Sequence, residues 1–237
     1  MPIKIIILVF IVLFSIMIYQ IRFFNDKFIF GGNINLTQFF YLIIAPLSIL
    51  LVYILMLIEI LERPSVLKIP VTNSVFLFFT YILIGLINIS LGVHTVSKIL
   101  SLYFTPELKK EKIYLINRFF HQPFSHSLLF VSAPLLVMML GIFEVNHPLN
   151  HSVGQLIYVF VLFGILTGIS YAVGVHLYSY VKKYFIFIFI LAMLFSGFIY
   201  FLEIDLSIRP YLVFSYSGIM FSWISFTGIY MLDKIKK

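Results

Sequence analysis

Residues 126 to 145 read HSLLFVSAPLLVMMLGIFEV, twenty residues in which Glu144 is the only formal charge. A helix of that length rises about 30 Å, the thickness of the hydrocarbon core of a bilayer. Backbone groups inside lipid have no water to bond, so the stretch reads as a membrane-crossing helix. The rest of the chain has the same texture. Of 237 residues, 62% are hydrophobic and 11% charged, with a mean hydropathy of +1.11, far outside soluble usage. Outward from 126–145, further apolar runs lie at about 3–21, 38–61, 74–103, 152–181, 184–202 and 211–232. The sequence therefore predicts one all-α domain over 1–237, a polytopic membrane helical bundle of about seven transmembrane helices.

Charge gives the bundle a direction. Alternate loops place Arg22, Lys27, Lys109, Lys110, Lys112, Arg118, Lys182, Lys183, Lys234, Lys236 and Lys237 on one side, and Lys4, Arg63, Lys68 and Arg209 on the other. Cytoplasmic loops carry the excess of Lys and Arg, so the amino terminus is expected outside and the carboxyl terminus inside. The net charge of +7 thus reflects orientation, and no nucleic-acid partner is expected. The first run follows Lys4 like a signal peptide, but no small-residue cleavage site follows Ser15, and it is read as a retained helix.

Only one connection is long, TPELKKEKIYLINRFF at 105–120. Thr105 as N-cap, Pro106 at the first helical position and Glu107 in the first turn predict a short amphipathic helix. It would lay Leu108, Tyr114, Leu115, Phe119 and Phe120 in the membrane interface. Pro46 and Pro134 predict kinks within helices, and Gly164 with Gly168 predicts close helix packing. Asn35-Leu36-Thr37 matches a glycosylation sequon on a loop assigned to the inner side.

Topology sorts the six histidines. His94, His121, His126 and His176 fall at the inner ends of the third, fourth and fifth segments, while His147 and His151 fall outside. The third and fifth segments share a short repeat, GVHTVS at 92–97 and GVHLYS at 174–179. Ser90, His94, Ser97, Lys98 and Ser101 recur at spacings of three and four, forming a polar stripe that faces protein or a water-filled cavity rather than lipid.

Neutral imidazole ligates zinc, copper, iron and haem iron, so the four inner histidines are a candidate metal or haem site. No carboxylate accompanies them, which favours copper, haem or, less so, zinc over a hard oxygen-preferring cation and leaves a hydrolase without its usual base. There is no cysteine to offer a thiolate. Each histidine can equally serve as a hydrogen-bonding group between helices. On the outer side EVNHPLNH sets Glu144, His147 and His151 at spacings of three and four, a candidate second metal site.

The stretch HQPFSHSLLFVSAPLLVMMLG at 121–141 resembles a signature of the CtaG-type family of cytochrome oxidase assembly membrane proteins, through His121, His126, Leu128, Leu129, Pro134, Leu135, Leu136 and Gly141. His151 with Gly164, and Gly218, Ile219 and Met220, resemble later family motifs, so the likeness covers about 85–237. The same stretch resembles, more locally, the LexA-binding type of inner-membrane metal-dependent hydrolase, which has an aspartate where this chain has Tyr180.

The resemblance implies a protein that binds copper or haem and serves a respiratory, oxidase-type membrane complex as an assembly component or accessory subunit, in a prokaryotic plasma membrane or mitochondrial inner membrane. Its partners would be lipid and other subunits of that complex, and it need not be an enzyme itself. A purely structural subunit and a metal-dependent membrane hydrolase are the alternatives. Lys98 and its stripe would also suit a transport pathway.

Overall fold

The structure is a computed structural model that describes residues 2–18, 21–66, 70–177 and 181–235. Lys68, Lys236 and Lys237, three of the cations counted above, lie outside them, as do Ser179 and Tyr180. Apart from turns and loops, the described chain is helical, with one two-stranded hairpin that pairs Phe28–Ile29 with Ile34–Asn35. Six helices are long and apolar enough to cross a membrane. They are α2 (Leu36–Leu61), α3 (Pro70–Ser101), α4 (Lys112–Val145), α5 (Gly154–Leu177), α6 (Val181–Phe201) and α7 (Pro210–Ile235). Before them comes α1 (Pro2–Ile18), also apolar but shorter, which buries Ile5, Leu8 and Val9 in the same core.

Apolar side chains such as Phe10, Leu47, Phe78, Tyr81, Met193 and Leu194 point outward along the helices. In water a surface of that kind would drive aggregation, whereas in lipid it needs no cover. Packing inside the bundle then depends on close approach and on hydrogen bonds. Helices α5 and α7 run parallel with backbones in contact. A Cβ on Gly168 would lie 2.3 Å from the Gly218 carbonyl oxygen, and one on Gly164 would lie 2.5 Å from that of Phe214. The close packing expected at these two glycines is thus present, and α7 is the partner.

Prolines shape two of the long helices. In α2 the turn Phe40–Ile44 is a π-helix, and the Ala45 N–H reaches back to the Phe40 carbonyl just before Pro46. In α4 a second π turn, Phe120–Phe124, surrounds Pro123, with the Ser125 N–H bonded to the Phe120 carbonyl. Proline supplies no N–H, and widening the turn lets the helix continue past it. The amphipathic segment is therefore no separate interfacial helix starting at Pro106. It begins at Lys112 and runs unbroken into the span, exposing Leu115, Phe119 and Phe120 while Tyr114 packs on Phe104. At Pro134 the carbonyl that lacks its helical donor, that of Phe130, accepts a hydrogen bond from the Tyr171 hydroxyl at 2.5 Å.

Asn35 caps α2. Its side chain accepts from the Gln38 N–H at 2.8 Å while Gln38 returns a bond to the Asn35 N–H at 2.9 Å, a reciprocal capping box. The Asn35 amide also donates to the Asn25 carbonyl, and Thr37 is buried. The sequon is thus engaged as a helix cap.

Candidate functional site

Helices α3 and α4 pack antiparallel, and the polar stripe of α3 faces α4. The Ser90 hydroxyl donates to the Ser125 carbonyl at 2.7 Å, and Asn117 donates to the Ser97 carbonyl and the Ser101 hydroxyl, both at 3.0 Å. Between these bonds sits His94. In a regular helix two residues five apart are about 140° apart around the axis. The π turn, with hydrogen bonds spanning five residues, winds more slowly and reduces that angle, and so turns both His121 and His126 toward α3.

The His94 ring stacks on His121 and meets His126 edge to edge. The His94 centroid is 4.5 Å from His121 and 5.0 Å from His126, with interplanar angles of 24° and 28°. Nδ1 of His94 lies 3.3 Å from the His121 carbonyl oxygen and 3.1 Å from Nε2 of His126. A carbonyl only accepts, so Nδ1 of His94 carries the proton and His126 accepts through Nε2. Nδ1 of His121 is buried with no hydrogen-bond partner among the described residues.

His176, the fourth inner histidine, does not join them. On the last turn of α5, Gly174 and Val175 are buried while His176 is exposed. The GVH repeat therefore places its two histidines differently.

Among the described residues no group of three or more His, Cys, Asp or Glu side chains has an arrangement that could hold a metal ion. At the inner cluster Nδ1 of His94 and Nε2 of His126 are turned toward each other and not toward a common point.

Below the stack a cavity of about 510 Å³ opens into the bundle, a volume typical of sites for small organic molecules. Every long helix except α6 lines it, together with α1. Its floor is apolar, with Leu8, Ile49, Ile87 and Val137, and hydroxyls of Tyr41, Tyr53, Thr167 and Ser170 mark its sides. Its ionisable end consists of His94, His121, His126 and Lys98. Lys98 was visible in sequence only as a member of the stripe. Its placement one turn beyond His94 is the signal that ties it to the site.

The outer candidates are held differently. Glu144 is fully buried, with Oε1 2.5 Å from Nη1 of Arg63 and Oε2 accepting from the Leu212 N–H at 2.8 Å. It thus caps the amino terminus of α7 from another helix, where the dipole favours an anion. Both ring nitrogens of His147 are bonded, Nδ1 to the Arg63 carbonyl at 3.1 Å and Nε2 to the Asn73 side-chain oxygen at 3.2 Å. His151 is exposed and apart from both. Arg63 also reaches Glu59 at 3.5 Å, and Glu59 accepts from Lys4 at 2.6 Å, which ties α1 to α2. The lone carboxylate near the end of an apolar run was the sequence signal that a buried cation must face it. No family model, no curated protein and no solved structure matches the chain.

Proposed function

We propose that the protein is a membrane-embedded binding protein whose cavity takes an apolar molecule from the bilayer, with the polar part of that molecule against His94, His121 and His126. The observation that carries this reading is the shape of the interior. Six helices wall a cavity of about 510 Å³ that is apolar at depth and ends in three imidazoles and a lysine. Pockets of this kind, apolar with a few convergent polar groups, are the usual sites for small molecules.

Filling the cavity tests it. Ala133→Phe projects a ring into the space, while Val131→Phe adds the same ring to an outward-facing position. Saturable uptake of a fluorescent apolar probe by the chain in nanodiscs is expected to fall at least tenfold in the first variant and to persist in the second. Equal uptake in both would remove the cavity from the account.

The orientation that goes with this reading has the amino terminus outside, seven crossings with α1 as the short one, and the imidazole end on the cytoplasmic side. It is supported by the excess of cations at that end and by the pairing of Lys4 with Glu59 and of Arg63 with Glu144 at the other.

A second reading takes the same three histidines as ligands for copper or haem in a respiratory assembly or accessory role. The buried, unpartnered Nδ1 of His121 beside two further rings favours it, and it requires His94 to turn out of the stack. Stoichiometric copper or a haem Soret band in the purified protein, with oxidase subunits copurifying, would favour this reading over the first.

A further inference from the structure

Apart from tyrosine hydroxyls, the titratable side chains on the cavity wall are all nitrogen bases. His94 and Lys98 come from α3 and His121 and His126 from α4, and no aspartate or glutamate lines the cavity among the described residues. The remaining polar groups there, from α1, α2, α5 and α7, are hydroxyls such as Ser15, Tyr41, Ser170 and Ser222. The acidic network of Glu59 and Glu144 sits at the opposite end of the bundle, bonded to Lys4 and Arg63. An ammonium and imidazole N–H groups donate to an anion, and a bond with a charged partner is roughly twice as strong as a neutral one.

Position matters as much as sign. Lys98 and the imidazoles stand at one end only, and the cavity continues from Lys98 down to Ile87, eleven residues along α3 or about 16 Å. A small soluble anion would leave that apolar depth unused. A ligand with an anionic head and an alkyl or isoprenoid tail fills both parts.

Resting on the cavity reading above, we infer that the ligand is an anionic amphiphile, a single-tailed carboxylate or phosphate, whose head is held by Lys98 with N–H groups of His121 and His126 and whose tail occupies the cavity. The head groups of the two acids share the chemistry that the site recognises, a compact oxyanion accepting several N–H bonds.

Competition for tritiated dodecanol, with the full chain in nanodiscs of zwitterionic lipid, tests this. At equal mole fractions in the bilayer, dodecanoate and dodecyl phosphate are expected to displace the probe about tenfold more effectively than unlabelled dodecanol. In Lys98→Met that preference is expected to fall to about twofold. Should this variant fail to fold, the preference of the unaltered chain decides alone. Acids no better than the alcohol would overturn the inference and leave the cavity reading standing. No saturable dodecanol binding at all would overturn both. Displacement of bound dodecyl phosphate by millimolar inorganic phosphate would show that the site takes a free anion, and would overturn the amphiphile.

Discussion

Nε2 of His126 lies 3.1 Å from Nδ1 of His94, and the same His94 nitrogen reaches the His121 carbonyl at 3.3 Å. One proton is thus shared between two acceptors across the α3–α4 contact. In nitrogen NMR of the neutral imidazoles, His94 and His126 are both expected as the Nδ1–H tautomer. A His94 signal from Nε2–H would contradict the arrangement, because the carbonyl would then face a lone pair.

At the other end of the bundle, Arg63 and Glu144 form a buried pair. Removing either partner alone leaves a charge in an apolar interior, so Arg63→Met or Glu144→Gln is expected to cost about 3–5 kcal/mol. The double variant should recover part of this loss. Thermal unfolding of the four proteins in one detergent checks it, and additive losses would mean that the pair does not act as a unit.

Tyr171 and Pro134 are coupled through the Phe130 carbonyl. Tyr171→Phe strands that carbonyl and is expected to cost about 1–3 kcal/mol. In a Pro134→Ala background the helical N–H is restored, and the same substitution should cost less than about 1 kcal/mol. An identical cost in both backgrounds would show that the hydroxyl is not the proline's substitute donor.

The α5–α7 contact predicts opposite outcomes for two glycines. Gly168→Ala places a methyl group against the backbone of α7 and is expected to destabilise by about 1–3 kcal/mol or more. Gly85 has open space where its Cβ would be, so Gly85→Ala is expected to stabilise α3 by about 0.5–1 kcal/mol. Equal melting temperatures for the two variants would contradict the packing.

Hydropathy alone located the six long apolar helices, because an apolar run long enough to cross lipid has few other uses. The polar stripe of α3 was legible for a similar reason: serines and a histidine at helical spacing must face something other than lipid. What the sequence did not disclose depends on turns and partners. Pro123 lies between His121 and His126, and only the π turn shows how α4 passes it and brings both rings to His94. His176 shared a depth and a tripeptide with His94, but depth says nothing of rotation about the helix axis. Glu144 and His147 had ligand spacing, and their actual partners, Arg63 and Asn73, lie more than seventy residues away in sequence.

Photolabelling of the reconstituted chain with a diazirine-bearing dodecanol tests most directly the proposal that the cavity takes up an apolar molecule. Saturable labelling of peptides carrying Ile87, Leu91, Val137 and Thr167 is predicted, lost in Ala133→Phe. Labelling confined to outward positions such as Ile190, Met193 and Leu194, rising linearly with probe, would contradict it.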